Sequence, residues 1–295
     1  MAYGDLLFQN VTNPFYSWFQ TNNKVSGCGL DQPTVPFRQL LRPYPQYCGV
    51  VSRYSPGGTS NYNALMINYR HTWSDGLHLL ASYTRSQYKD DDWGPGFGYA
   101  PSIYNRKDNY GLHGNDIPNS LVVSWIYELP FGHGKTYGAG MNSVANAIVG
   151  GWQISAITMF KDGFPIAPVE YNNNLNTFNA GQRPDCSGDP ALDNPTIDKW
   201  FNTDVFSLPA AYTFGNCPRT FGSTRAAGRN AWDMTVSKWW RIGERFRVQF
   251  RGEFFNAFNH TDLFGPDTGH GSSTFGQVTS TGSPRDIQLG LKIYW

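Results

Sequence analysis

The chain predicts an all-β fold, an antiparallel transmembrane β-barrel segment of about seven strands with long extracellular loops. Segments of about ten residues alternate apolar and polar side chains, a period of two that only an extended strand expresses. The connections between these segments run short, long, medium, long, short, long. No window approaches 18 uninterrupted apolar residues, so no transmembrane helix is expected. A mean hydropathy of -0.46 is no obstacle to a barrel, because alternating strands hide their apolar face from any average.

Composition narrows the function classes. Aromatics make up 16% of the chain and charged residues only 15%, against about 25% charged in soluble domains. The 32 glycines and 19 prolines imply many turns. A net charge of +1 with no Lys/Arg stripe argues against a nucleic-acid partner. Four cysteines, Cys28 and Cys48, then Cys186 and Cys217, lie in loop-like sequence without zinc spacing, which favours disulfides in an oxidising compartment. Neighbour pairing is one of three connectivities. The start, MAYGDLLFQN, lacks the basic and apolar regions of a secretory signal, so an exported chain is expected to carry its signal upstream, and this sequence reads as a fragment.

Residues 1–59 read as an irregular extracellular loop segment because prolines punctuate them, and 60–295 as the strands of the barrel. Leu65, Ile67, Tyr69, His71 and Trp73 alternate with polar positions up to the Ser74-Asp75-Gly76 turn, and Leu77, Leu79, Ala81 and Tyr83 answer them in a hairpin. A loop over 86–118 follows. Leu121, Val123, Trp125, Tyr127 and Leu129 define a third strand ended by Pro130, and Trp152, Ile154, Ala156, Thr158 and Phe160 a fourth. The longest loop spans 162 to about 229. Trp232, Met234, Val236 and Trp240 form a fifth strand whose apolar face Lys238 interrupts. Phe246, Val248, Phe250 and Phe254 oppose Arg245, Arg247, Gln249, Arg251 and Glu253 in the sixth. Ile287, Leu289, Leu291, Ile293 and Trp295 share one face of the last; this segment alone suits a membrane barrel and a soluble sheet equally.

The loop lengths favour the barrel, since periplasmic turns are short and extracellular loops long. They put Trp295 on the periplasmic side and both cysteine pairs outside. Trp73, Phe131, Trp152 and Trp240 fall near the periplasmic strand ends, as an aromatic girdle requires. Arg70, Arg247, Arg251, Glu253 and Lys292 are expected to face a wet lumen, because a midplane Arg or Lys against lipid costs roughly 2–4 kcal/mol. Seven strands is an odd number, whereas bacterial single-chain barrels have an even one, so an odd number is expected upstream.

The ordered set Leu40–Tyr47 (LRPYPQY after Leu40), Ser60–Leu65, Asn119–Leu121, Tyr127–Gly132 (YELPFG), Gly150–Gln153 (GGWQ), Phe254–His260 (FFNAFNH) and Pro284–Lys292 (PRDIQLGLK) resembles the C-terminal barrel half of TonB-dependent receptors. It is most similar to the Oar-like subgroup, which carries an N-terminal carboxypeptidase-regulatory-like domain. The resemblance implies a 22-stranded barrel, a plug and a TonB box, none of which lies in this sequence, so TonB is expected as a partner only through a missing upstream region. It also implies that Leu289, Leu291, Ile293 and Trp295 act as an assembly signal for the outer-membrane barrel assembly machinery. A terminal Trp where Phe is usual, and the cysteine pairs, depart from the pattern.

No catalytic constellation emerges. Gly132-His133-Gly134-Lys135-Thr136 resembles the end of a phosphate-binding loop, but Leu129 stands where its first glycine belongs. Asp90-Asp91-Asp92 offers carboxylates for calcium, with a solvated charge run the preferred reading. The six histidines show no HExxH spacing and there is no GxSxG, so an enzyme, a cofactor and a metal are not expected. Trp93, Phe97, Tyr99 and Tyr104 could contact a ligand at an outer mouth or pack on one another. The expected function is outer-membrane uptake of a bulky, unidentified ligand, with outer-membrane lipid as the surrounding partner. The alternatives are an outer-membrane surface or adhesion protein acting through its loops, and a secreted carbohydrate-binding β-sandwich.

Overall fold

The structure is a computed structural model that describes residues 4–49, 58–91, 105–172 and 182–295. Two compact units divide the chain, Met1–Gly57 and Gly58–Trp295. In the first, Asn10–Thr12 pairs antiparallel with Thr34–Pro36, and short helices cover Tyr16–Thr21 and Phe37–Leu40. The described part of the segment expected to be irregular, 4–49, thus holds these short elements. Its prolines remove backbone donors, and side chains supply others. The buried Asn13 amide donates to the carbonyls of Leu30 and Gln32 at 2.7 Å each. The Gln39 amide, 2% exposed, donates to Pro45 at 2.8 Å and Tyr47 at 3.0 Å. A disulfide joins Cys28 to Cys48, with Cα atoms 5.5 Å apart.

In the second unit seven long strands form one sheet. They are β1 (Ser60–Thr72), β2 (Leu77–Asp90), β3 (Asn119–Glu128), β4 (Trp152–Lys161), β5 (Arg229–Ile242), β6 (Phe246–Phe255) and β7 (Asp286–Tyr294). Every neighbouring pair is antiparallel and spatial order equals chain order. β2 continues to Asp90, six residues past Thr84, where the sequence reads as loop, because Gln87, Tyr88 and Lys89 pair with Asn63, Tyr62 and Asn61. The sheet is a single open layer, with β1 and β7 at its edges and every residue of both strands exposed. Among the described residues the remaining sheets are two-stranded pairs with two to five residues per strand.

Directly opposed residues share a face, so the register assigns every strand. Leu79, Trp125 and Ala156 stand in one row of the apolar face, as do Val236, Gly252 and Leu289. Ser237 with Arg251, and Gln249 with Lys292, belong to the other. The two short turns and the helix-bearing β3–β4 connection lie at one end of the sheet and the three long connections at the other. In the β1–β2 turn Gly76 has φ +83° and its carbonyl accepts from Glu128 N at 3.0 Å; a Cβ there would be strained and would sit 3.1 Å from the Glu128 Cβ.

Candidate functional site

The polar face of β5 to β7 is a wall of ionised and amide side chains. Arg251 pairs with Glu253 along β6 at 2.6 Å. Gln249 faces Lys292 across β6–β7, and Arg241 faces Arg247 across β5–β6. The Arg247 guanidinium stands 6.0 Å from the centre of the Trp239 ring, which lies 5.5 Å from Tyr294. Of the charges assigned to a lumen from sequence, Arg247, Arg251, Glu253 and Lys292 are thus brought together, and Arg70 sits on the same face of β1 at the far edge of the sheet, opposite Leu80. Toward the long-loop end this face opens into a cleft of about 640 Å³ whose lining includes Arg229, Asp233, Asn256, Asp262 and Asp286.

Above the sheet the described parts of the long connections carry structure of their own. They fold together into a cap with its own core of Ile166, Phe201, Phe206, Cys217 and Phe221, against which Trp200, Val205 and Phe275 pack. Phe275 belongs to the β6–β7 connection and meets Phe201 and Phe206 at 5.2 and 5.4 Å. A disulfide joins Cys186 to Cys217, with Cα atoms 5.0 Å apart. Trp200 N donates to Gly276 O and Val278 N to Ile197 O, both at 2.8 Å. A short parallel pair, Val169–Glu170 with Gly269–His270, ties the same two connections, and the His270 imidazole meets the buried Glu170 carboxylate at 2.5 Å.

Three arginines anchor the cap to the β2–β3 connection. Arg219, with no side-chain exposure, pairs with Asp90, whose other oxygen lies 3.6 Å from His113, and also donates to Leu112 O at 3.1 Å. Arg225 pairs with Asp116 at 2.7 Å and donates to Asp116 O and Gly163 O. Arg183 donates to Asp108 O at 3.0 Å and to the Asn109 side chain. Burial, helped by the nearby Arg219 charge and opposed by Asp108, pushes the Arg183 guanidinium down to about 10. Asp267 shows the reverse balance for a carboxylate. Burial acts to raise it, and hydrogen bonds from Ser272, Thr274 and the Gly269 amide outweigh that, leaving it below the usual carboxylate range.

Several sequence readings change here. Asp90 and Asp91 are buried, not solvated, with Asp90 on Arg219 and the Asp91 carboxylate accepting from Thr59 N at 2.7 Å. Among the described residues no group of three or more His, Cys, Asp or Glu could hold a metal ion. Trp93, Phe97, Tyr99 and Tyr104, with Asp92, lie outside the described residues. Leu289, Leu291 and Ile293 are exposed on the apolar face of edge strand β7, and Trp295 follows it with 89% of its surface exposed. In the FFNAFNH segment, Asn256 and Asn259 take φ of +50° and +53°, a conformation asparagine tolerates better than most residues. The Asn256 side chain donates to His260 O and accepts from His260 N, both at 2.8 Å, so the segment is a built turn. The cap's arginine anchors carried no local sequence signal.

Both ends of the apolar face carry aromatic rings. At the short-turn end Trp152 and Phe250 lie 6.1 Å apart, with Trp240 two residues along β5 from Lys238. At the long-loop end Trp232 lies 5.8 Å from Phe160 and 5.3 Å from Phe258. Trp232 to Trp240 is eight residues, about 26 Å along the strand and about 20 Å along the membrane normal at the usual tilt. That is close to the apolar band of an outer-membrane barrel, about 25 Å tall. The profile of the outer membrane β-barrel domain matches residues 10–288. The chain belongs to the outer membrane β-barrel domain family. No match was found among curated proteins or among solved structures. The setting of this family is the bacterial outer membrane.

Proposed function

We propose that the chain forms part of the wall and outer mouth of a TonB-dependent uptake receptor of the Oar-like kind, passing a bulky hydrophilic ligand inward. The observation that carries this reading is the polar face, where the register of β5 to β7 places Arg241, Arg247, Arg251, Glu253 and Lys292, with Gln249 among them, on one side of the sheet. Ionised groups in such a row need water beside them, and a water-filled interior lined by both charge signs is a path for a polar solute. The cap, pinned by a disulfide and buried arginines, gives that path a shaped entrance in place of a mobile fringe.

The test compares the native host with a strain lacking the gene. Both are fed mixed isotope-labelled oligosaccharides and peptides too large for general porins, with and without a protonophore. Uptake of at least one component should vanish on deletion and on collapse of the inner-membrane potential. Unchanged uptake of every component, together with lost adherence to surfaces, would replace transport with adhesion through the cap.

A further inference from the structure

The β3–β4 connection contains a short helix, α1 (Ser143–Val149), started by the Asn142 side chain, which accepts from Ala145 N at 2.8 Å. Its other end is bound by three side chains of the sheet. Trp240 Nε1 donates to Ala147 O at 2.7 Å, Trp152 Nε1 to Ile148 O at 2.9 Å, and the Lys238 ammonium to Ile148 O at 3.2 Å and to Gly150 O. These are carbonyls that a helix terminus leaves without intrahelical partners, at the end where a cation is favoured. Lys238 is 1% exposed and its ammonium stands 5.2 and 5.4 Å from the Trp152 and Trp240 rings, a cation enclosed by two indole faces.

The register fixes which side this is. Lys238 is directly opposite Trp152 on β4 and Phe250 on β6, and Trp240 is two residues further along β5, so all three clamp residues belong to the apolar, lipid-side face. α1 is therefore held against the outside of the wall at its short-turn end, not beneath the interior. On α1 itself Val144 and Ile148, one turn apart, are 71% and 66% exposed. Asn146, by contrast, turns its side-chain oxygen to His133 N at 2.9 Å. Nothing from Asn142 to Gly151 is charged, and Phe131 and Tyr137, amphipathic or apolar rings of the same connection, are exposed beside it.

We propose that α1 is an interfacial anchor: it lies in the periplasmic leaflet with Val144 and Ile148 at the phospholipid headgroup–acyl boundary, and Lys238 with its two indoles clamps it to the barrel wall. This accounts for a lysine in the lipid-facing row, since its charge is spent on helix carbonyls and aromatic faces. The inference rests on the apolar face meeting lipid, and is independent of whether the protein transports a ligand.

All cysteines among the described residues are in disulfides, so added cysteines at 144, 146, 148 and, as reference, 123 on the lipid-side face of β3 can be spin-labelled singly. The labelled proteins are purified from outer membranes, reconstituted in phospholipid vesicles, and read by accessibility to oxygen and to a water-soluble nickel chelate. Labels at 144, 148 and 123 should favour oxygen, with 144 and 148 shallower than 123, and the label at 146 should favour the chelate. Chelate access at 144 and 148 with 123 in lipid would overturn the anchor, as would protection of 144 and 148 from both reagents, the mark of a protein partner. Chelate access at 123 would overturn the face assignment beneath it. With Lys238→Met, checked for folding by heat-modifiable gel migration, the label at 148 should gain mobility and chelate access; an unchanged signal would remove the clamp.

Discussion

The Asp90–Arg219 pair joins the end of β2 to the cap across 129 residues of sequence, and its removal should open the cap. Arg219 has no side-chain exposure and Asp90 5%, so Asp90→Ala leaves a guanidinium buried beside His113 without its carboxylate. Breaking a buried pair from one side costs about 3–5 kcal/mol, which multiplies the population of locally opened cap by roughly two to three and a half orders of magnitude. The assay is limited proteolysis of intact cells under conditions where closing outpaces cleavage, reading the cut within 162–228, because the rate then follows the opened population. Lys199→Ala supplies the contrast: Lys199 and Asp204 are paired at 3.2 Å but 49% and 79% exposed, a setting worth under about 1 kcal/mol. Asp90→Ala and Lys199→Ala cut at similar rates would refute the claim that burial makes the first pair the anchor.

Two other outcomes follow from the same cap. Replacing Cys186 and Cys217 by serine frees a loop with a sequence separation of 31, worth about 3.5–4 kcal/mol in chain entropy, so the double variant should be cut within 162–228 far faster than the wild type while the strands stay folded on a heat-modifiability gel. Asp267, held below its ordinary value, contributes stability that is present above the unfolded carboxyl range and is lost as pH falls through its lower folded value. Cap opening should therefore rise on acidification from about pH 4 downward, and Asp267→Asn should flatten that rise in a proteolysis profile with an acid-active protease.

The two-faced strands were legible because each side chain's surroundings select its type. Phe246, Val248 and Phe250 share one face of β6 and Arg247, Gln249 and Arg251 the other, and a one-residue slip of the pairing would exchange the two faces. The ends were less legible. Tyr88, Lys89 and Asp90 extend β2 into the region of the long connections, where lipid no longer demands alternation. The cap was not legible at all, since Ile166, Phe201, Phe206, Phe221 and Phe275 converge from separate connections with no period, and Asp90 in sequence looks like any solvated aspartate until Arg219 closes over it. Lys238 did show as a break in an apolar row; its reason, two carbonyls at the helix end and two indoles, required the fold.

The most direct test of the central claim uses Val122 and Val123, adjacent and chemically identical, which β3 turns to opposite faces: Val122 beside Ser82 and Met159, Val123 beside Ala81 and Thr158. The measurement is denaturant unfolding of the protein in phospholipid vesicles with arginine at each position in turn. Val123→Arg should cost about 2–4 kcal/mol and Val122→Arg little. Equal costs, or a larger cost at 122, would contradict a wall with lipid on one side and water on the other.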